Sequence, residues 1–303
     1  MPNARPYHFH VLDVFTERRY TGNPLAVVLN ADEMDTAAMQ AVAREFNLSE
    51  TIFTLAPDDP SHEAKVRIFT PVYEMPFAGH PTVGAAIHLA ERRWPKGALD
   101  QTIMLEENAG LVPVRVQRRE GRMRATFTAP VLPYPIDGAP SREDTAAALG
   151  LEPDEIRTDH PVALHQGGPN FLYVPLSSLE ALARAKPCEP QWSKAVARGG
   201  RDAAYCYVPD PEANGLAFRA RMFAPGGGTY EDPATGSASA ILASQLLATG
   251  ELSEGTTAIA LRQGVEMGRP SEIGLEVDVA DGALTAVRVT GSAVRVSDGQ
   301  IFA

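Results

Sequence analysis

The feature of this sequence that most constrains its fold is an internal repeat. Residues 67–79 read RIFTPVYEMPFAG, and residues 221–236 read RMFAPGGGTYEDPATG. Both segments follow the pattern R-x-F-x-P and then Y-E-x-P-x-x-G, with three additional residues between the two blocks in the second copy. Seven identities in so short a pattern indicate a duplication, and a chain of 303 residues is long enough for two related domains.

The repeat continues on both sides of this block. Upstream, AVAR at 41–44 recurs at 195–198, the same 154-residue offset that separates Arg67 from Arg221. In each copy an apolar strand pattern follows AVAR, and an alanine-rich helix pattern follows the shared glycine. The sequence therefore predicts two homologous halves, each with a strand, a helix, two strands and a glycine-led helix. The predicted segments are strands at 51–58 and 203–210 and helices at 35–46, 82–93, 190–198 and 238–248.

The remaining strand patterns suggest how the halves are connected. Residues 105–130 alternate between apolar and polar side chains, which is typical of β-hairpins, and residues 283–302 predict two more strands around a Gly-Ser turn. A terminal strand often pairs with a distant part of the chain. We expect an N-terminal lobe of residues 1–125, completed by strands at about 285–303, and a C-terminal lobe of residues 126–284.

Composition and charge exclude several functional classes. The net charge is −11, with no Lys/Arg block, so a nucleic-acid partner is not expected. No apolar run approaches the roughly 20 residues of a membrane span, and the first residues lack the apolar core of a signal peptide. Two cysteines are too few for a disulfide framework. We expect a cytoplasmic protein, with a symmetric homodimer as the default assembly.

Nothing in the sequence predicts a cofactor or a metal ion. There is no strand–GxGxxG–helix unit for a nucleotide. His8 and His10 share one face of a predicted strand but have no third ligand nearby.

The two glycine-led helices consist of small, apolar residues, yet each begins with an unusual number of polar side chains. In the second copy, YEDPATGSASA, the side chain of Asp232, Thr235 or Ser237 can cap the helix. Alternatively, the unpaired first-turn amides can bind an anion. If the two helix starts face each other across a cleft, both would favour a carboxylate ligand. The residues alone leave both readings open.

Positions that break the repeat are better candidates for chemistry than positions that obey it. Glu50, at the turn from helix into strand, is either a solvated loop residue or a general base. His80 is either a donor to a substrate oxygen or a capping residue. Asp232 either caps its helix or orients His80 or a ligand hydroxyl, and Ser237 has the same two roles. Neither helix start carries a cysteine, which excludes a racemase that uses two thiols.

Five motifs together resemble the PhzF-like (phenazine biosynthesis) family, in the order in which that family has them. They span residues 1–271 and include two specific signatures, E-x-P-F-A-G-H-x-T and D-P-A-T-G-S-A. The motifs are F15-x6-GNPLAVV28, N47-LSETIF53, R67-IFTPVYEMPFAGHPTVGAA86, E231-DPATGSA238 and Q263-GVEMGRPS271.

The resemblance implies an α+β or α/β fold like that of diaminopimelate epimerase. Two lobes related by a pseudo-twofold axis would each form a curved, mostly antiparallel, barrel-like sheet around a central helix, with the active site between them. The known enzyme of the family isomerises trans-2,3-dihydro-3-hydroxyanthranilate without a metal or an organic cofactor.

The resemblance also implies a role for each candidate residue. Glu50 would move a proton between two ring carbons, while His80 and Asp232, with Ser237, would bind and orient the substrate. The amides at Gly79 and Gly236 would hold its carboxylate. Two alternatives remain, namely an epimerase of an amino-acid-like substrate and a non-catalytic binding protein that keeps the cleft. Less repeated loops around 137–159 and 166–170 would set specificity.

Overall fold

The computed structural model describes residues 5–198, 202–227 and 229–303. The chain divides into two compact units, Met1–Thr128 with Thr290–Ala303, and Ala129–Val289. The strands are β1 (Pro6–Val14), β2 (Asn23–Val28), β3 (Glu50–Leu55), β4 (Ala64–Phe69), β5 (Glu74–Met75), β6 (Leu99–Glu107), β7 (Gly110–Arg119), β8 (Arg122–Thr128), β9 (Tyr134–Ile136), β10 (Ala163–Gln166), β11 (Asn170–Pro175), β12 (Ala204–Pro209), β13 (Ala217–Ala224), β14 (Thr229–Asp232), β15 (Gly255–Gln263), β16 (Ser271–Ala280), β17 (Ala283–Gly291) and β18 (Ala293–Phe302). The helices are α1 (Thr36–Phe46), α2 (Gly79–Arg93), α3 (Arg142–Leu149), α4 (Leu179–Arg184), α5 (Gln191–Ala195) and α6 (Gly236–Ala248), with 3-10 turns at Pro153–Glu155 and Pro225–Gly227. Within the described residues, no helix is long and apolar enough to cross a membrane.

The strands of the first unit form a mostly antiparallel sheet. β1 lies between β2 and β18, and its pairing with β18 runs from Pro6 opposite Phe302 to Val14 opposite Ala293. β2 is parallel to β3, β3 is antiparallel to β4, and β4 is parallel to β6. β6, β7 and β8 form two successive hairpins. The hairpins predicted for 105–130 are therefore confirmed, and the C-terminal strand β18 pairs with β1 of the first unit.

The second unit repeats this order of strand pairings. β11 is parallel to β12, β12 is antiparallel to β13, β13 is parallel to β15, and β15 forms a hairpin with β16. β9 and β10 extend the same sheet beside β11. The repeat in the sequence thus corresponds to a repeat in topology, in which β11, β12, β13 and β15 match β2, β3, β4 and β6.

Each glycine-led helix is the centre of its own unit. In α2, eleven of fifteen residues are buried, and the helix packs against β1, β2, β3, β6, β7, β8 and β18. In α6, ten of thirteen residues are buried, and the helix packs against β9, β10, β11 and β16. A helix that is covered on all sides needs small or apolar residues around its whole circumference. The predicted α+β class, with a curved, mostly antiparallel sheet around a central helix, is confirmed.

Gly84 marks the closest approach of α2 to its sheet. A Cβ atom at this position would lie 2.5 Å from Leu25 Cδ2 and 2.9 Å from Val14 Cγ2. Both distances are shorter than van der Waals contact, so only glycine lets the helix lie this close to β1 and β2.

Two segments differ from the expectation drawn from sequence. The segment 137–159, expected to be a loop, contains α3, whose N-cap Ser141 accepts a hydrogen bond from the Asp144 amide. Ser141, an acidic first turn and the left-handed Gly150 are ordinary helix signals, but α3 has no counterpart in the first half and the repeat could not reveal it. The helix predicted at 190–198 ends at Ala195, as a short turn anchored by the buried Trp192.

Candidate active site

Glu50 lies at the start of β3, after a tight connection from α1. Asn47 ends α1 in the left-handed conformation, with φ at 50°, and its amide binds the Ala43 carbonyl. The chain then enters β3, where Glu50 stands opposite Leu25 of the parallel strand β2. The side chain of Glu50 is only 16% exposed. Its position at a shielded strand end does not fit the solvated-loop interpretation.

His80 meets Glu50 from the first turn of α2. Its Nδ1 atom lies 3.2 Å from Glu50 Oε2 and 3.4 Å from Asn23 Nδ2. The His80 side chain is 4% exposed, so this contact is nearly closed to water. His80 lies inside the helix rather than at its cap, which is Ala78.

The imidazole of His80 is neutral at ordinary pH. Burial lowers the pKa of His80 to about 3, and a hydrogen bond with the Pro24 backbone offsets this only in part. Although Nδ1 and Oε2 are within ion-pairing distance, the contact is therefore one between a neutral imidazole and a carboxyl group. A neutral imidazole donates to a carboxylate in one tautomer and accepts from a carboxylic acid in the other.

The start of α2 has no side-chain cap. Its N-cap residue is Ala78, whose methyl group cannot accept a hydrogen bond from the first-turn amides. Gly79 and His80 follow, and both are buried. Uncapped first-turn amides at the positive end of a helix dipole favour a negatively charged group.

Asp232, in the second unit, accepts a hydrogen bond from the loop that precedes α6. The N-cap residue is Thr235, which makes no side-chain capping bond, and the Thr235 hydroxyl instead donates to Asp232 Oδ2 at 2.6 Å. Gln263 holds the same loop, since its Nε2 donates to the Asp232 carbonyl and to Thr235 Oγ1, at 2.7 and 3.0 Å. Its Oε1 atom accepts from the Thr235 amide at 3.2 Å. The capping role expected for Thr235 is therefore not observed.

The first residues of α6 combine burial with one accessible hydroxyl. Gly236 is buried, whereas Ser237 beside it is partly exposed. The α6 start thus resembles the α2 start in lacking a side-chain cap, and it adds a hydroxyl group that a ligand can reach.

The structure brings the candidate residues together in two sets, each within its own unit. Glu50, His80 and the Gly79 amide lie together in the first unit, while Asp232, Gly236 and Ser237 lie together in the second. No group of three or more His, Cys, Asp or Glu side chains in the described ranges is arranged to hold a metal ion.

Sequence reasoning missed three residues that shape these sets. Asn23 contacts His80, and its place in the GNP segment was the signal that could have drawn attention to it. Tyr73 has a raised pKa, first because of burial and second because of the Glu50 carboxylate. Gln263, at the end of β15, forms hydrogen bonds with the backbone of Asp232 and Thr235. No local sequence pattern predicts this role.

The named relatives of this chain are isomerases, and isomerase is therefore its class of enzyme. The chain belongs to the family of phenazine biosynthesis-like proteins, whose model matches residues 12–299. The sequence-based assignment to this family is confirmed.

Three known proteins illustrate the similarity. An uncharacterized isomerase of Mesorhizobium japonicum is 45% identical, over 97% of this chain and 98% of its own length. The trans-2,3-dihydro-3-hydroxyanthranilate isomerase of Pseudomonas aeruginosa is 33% identical, over 98% of this chain and 99% of its own length. A crystal structure of a Bacillus anthracis phenazine biosynthesis protein of the PhzF family has a TM-score of 0.87 at 25% identity, covering 98% of this chain and 99% of that one.

Proposed function

We propose that this isomerase moves a proton along a conjugated, cyclic carboxylate, with trans-2,3-dihydro-3-hydroxyanthranilate as its substrate and Glu50 as the proton carrier. The observation that carries the proposal is the contact between Glu50 Oε2 and a neutral His80 Nδ1 at 3.2 Å. The similarity to an isomerase of that substrate, over nearly the full length of both chains, supports the choice of compound.

The reaction needs one group that acts first as a base and then as an acid. As a carboxylate, Glu50 removes a proton from one ring carbon, and the electron pair moves through the conjugated system. As a carboxylic acid, it returns the proton to a different carbon, so no atom is gained or lost. His80 stays uncharged beside Glu50 in both states, because burial keeps its imidazole neutral.

The helix starts supply recognition rather than chemistry in this proposal. The uncapped amides at Gly79 and Gly236 bind carboxylate oxygens, as free first-turn amides do. Ser237 offers a partly exposed hydroxyl to the substrate. Asp232 orients the substrate through its carboxylate. The Thr235 hydroxyl donates to this carboxylate at 2.6 Å and fixes its orientation.

Three wider features belong to the same proposal. The physiological role is a step of phenazine biosynthesis, the setting that the family description names. The compartment is the cytoplasm, in keeping with Cys188 and Cys206 as free thiols. The assembly is a symmetric homodimer, the commonest state among homo-oligomeric enzymes. Size-exclusion chromatography with light scattering measures the molar mass in solution. The mass of a monomer would rule out the dimer.

The test is the reaction itself, run in D₂O and followed by proton NMR. Wild-type protein is given trans-2,3-dihydro-3-hydroxyanthranilate beside Glu50→Gln and the matched control Glu45→Gln, an exposed glutamate on α1. We expect a double-bond shift with wild type and control. For Glu50→Gln we expect a loss of roughly 10²–10⁴-fold in rate with ligand binding retained.

Two results would overturn parts of this proposal. Full activity in Glu50→Gln would remove Glu50 as the proton carrier. If wild type leaves this substrate unchanged, both in product spectrum and in deuterium content, the substrate assignment is wrong.

A further inference from the structure

Glu107 is a buried carboxyl group that the proposed reaction does not use. It is the last residue of β6 and is 7% exposed. Its Oε1 atom lies 2.7 Å from the Thr82 hydroxyl, one turn into α2 from Gly79 and His80. The question is which of these two groups supplies the proton of this hydrogen bond.

The hydrogen bonds of Thr82 answer that question. Thr82 Oγ1 lies 2.7 Å from the Ala78 carbonyl and also 2.7 Å from Glu107 Oε1. A hydroxyl group has one proton to donate, and a carbonyl oxygen has none. If Thr82 donates to Ala78, the proton between Thr82 and Glu107 must come from Glu107. Two contacts as short as these are both satisfied only when Glu107 is a carboxylic acid.

The surroundings of Glu107 also disfavour an ionised carboxylate. Its Oε2 atom is buried and has no hydrogen-bond partner among the described residues. Burial raises the pKa of Glu107 to about 8. A buried carboxylate without a partner is costly, whereas a neutral acid loses one acceptor contact.

Several charged groups on neighbouring elements are bound to other residues. On β4, Lys65 pairs with Asp58 and Arg67 pairs with Glu74. On β7, Arg115 pairs with Asp100. The adjacent Glu106 binds His62 and the amides of Asp58 and Asp59. On α2, His80 is neutral because burial lowers its pKa to about 3. None of these groups contributes to the pKa shift of Glu107.

The second half of the repeat has a neutral side chain at the matching place. Gln263 ends β15 as Glu107 ends β6, and it is fully buried. Ser239, the counterpart of Thr82, donates to the Thr235 carbonyl at 2.9 Å, as Thr82 donates to the Ala78 carbonyl. Gln263 binds Thr235, the N-cap residue of α6, through a side-chain amide that cannot ionise. At the end of the matching strand, an uncharged side chain therefore makes the hydrogen bonds to the start of the central helix.

We propose that Glu107 is a protonated carboxylic acid that donates to Thr82 and positions the start of α2, which carries Gly79 and His80. Glu107 is a positioning residue, since its carboxyl group contacts Thr82 and not a reacting group. Its ionisation at alkaline pH removes the proton that joins β6 to α2. The effect on catalysis rests on the proposed function, whereas the protonation state does not.

The first experiment detects the proton directly. Infrared difference spectra of the full chain are recorded between about pH 6 and about pH 10, for wild type, Glu107→Gln and Glu106→Gln. We expect the carbonyl band of a protonated carboxyl group in wild type and in Glu106→Gln, and its loss in Glu107→Gln. A band that Glu107→Gln leaves in place, or no such band in wild type, overturns the proposal. No substrate is involved, so this result is independent of the proposed function.

The second experiment separates positioning from simple filling of space. Glu107→Gln keeps a neutral donor, whereas Glu107→Leu keeps only the approximate volume. The unfolding equilibrium of each protein is measured as a function of pH. As the pH rises from the ordinary pKa of 4.5 to about 8, wild type should lose stability relative to Glu107→Gln. The unfolding constant should rise by up to tenfold for each pH unit. The sign follows because native Glu107 keeps a proton that the unfolded chain releases.

Activity provides the last readout. With trans-2,3-dihydro-3-hydroxyanthranilate as the probe, kcat/KM of wild type should fall above about pH 8, and that of Glu107→Gln should not. An unchanged alkaline fall in Glu107→Gln contradicts the positioning role. If Glu107→Leu does not fold, the comparison of wild type with Glu107→Gln still decides the matter. A wild type that is inactive on this compound contradicts the proposed function but leaves the infrared and stability tests intact.

Discussion

The Nδ1 atom of His80 lies 3.2 Å from the Oε2 atom of Glu50, in a contact where the imidazole is buried and neutral. The two residues come from different elements, the first turn of α2 and the first position of β3. Such a pair lets a proton arrive on the carboxyl group and leave it without creating an uncompensated charge on the imidazole. This relationship gives the proposed proton shuttle its chemical basis.

His80 should not titrate near the ordinary pKa of a histidine. Because burial lowers its pKa to about 3, its imidazole signals in NMR spectra should stay constant from about pH 8 to about pH 5. Comparison with His80→Asn assigns the signals. A midpoint between pH 6 and 7 would show that the site is open to water.

The same shift predicts a loss of stability in acid. Between about pH 6.5 and about pH 3 the unfolded chain binds a proton that native His80 excludes, so stability falls as the pH falls. The loss is up to about 1.4 kcal/mol per pH unit. Urea unfolding of wild type and His80→Asn across this range measures it. Equal slopes in the two proteins would contradict the shift.

The two repeat-related arginines should differ in their importance for stability. Arg221 forms a two-pronged pair with Glu231 at 2.7 and 2.8 Å, and also donates to the carbonyls of Leu182, Ala183 and Ala185. Arg221→Met leaves these acceptors without a donor and should cost roughly 3–5 kcal/mol in the free energy of unfolding.

Arg67 provides the matched comparison. It binds Glu74 at 2.7 and 2.6 Å, but the two side chains are 19% and 23% exposed, against 10% each for Arg221 and Glu231. Water can replace part of the lost interaction, so Arg67→Met should cost about 1–3 kcal/mol. Equal losses in urea unfolding would mean that the carbonyl contacts of Arg221 add nothing.

Gln263 should be essential for the loop before α6. Gln263→Leu keeps the side chain's size but removes its bonds to the Thr235 amide, the Thr235 hydroxyl and the Asp232 carbonyl. Buried polar groups left without partners cost about 1–3 kcal/mol each, so a loss of several kcal/mol is expected. Gln101→Leu, at an exposed position on β6, serves as control. Similar stability of both variants would show that the loop does not depend on Gln263.

Gly84 should tolerate no side chain. A Cβ atom 2.5 Å from Leu25 Cδ2 forces α2 away from β2, so Gly84→Ala should cost about 1–3 kcal/mol despite the better helix propensity of alanine. Glu91→Ala, at an exposed position of the same helix, controls for propensity. A stabilised Gly84→Ala would show that the helix has room to shift.

Much of the fold could be predicted because its signals are local or repeated. The matching blocks around Arg67 and Arg221 predicted two related halves, and the topology repeats accordingly. Alternation predicted the hairpins of β6, β7 and β8. By contrast, the repeat could not predict α3, which has no counterpart in the first half, although Ser141 and Gly150 are ordinary helix signals.

The candidate site likewise has residues that the sequence could predict and contacts that it could not. Family motifs singled out Glu50, His80 and Asp232, whose proposed roles await the experiments above. The same motifs did not reveal that Asp232 accepts from the Thr235 hydroxyl, because Gln263, which holds Thr235, comes from a distant strand. Asn23 escaped notice for the same reason, since its contact with His80 joins residues 57 positions apart.

The sequence by itself determined the duplication, the family, the two central helices and several strands, and the residues that carry polar groups at the two helix starts. These follow from periodicity, turn chemistry and repeated motifs, which act over a few residues. Only the tertiary structure decided that Glu50 contacts His80, that His80 is neutral and that Glu107 is buried beside Thr82. The physical reason is that protonation depends on burial and on atoms brought together from distant parts of the chain, and no local pattern specifies either.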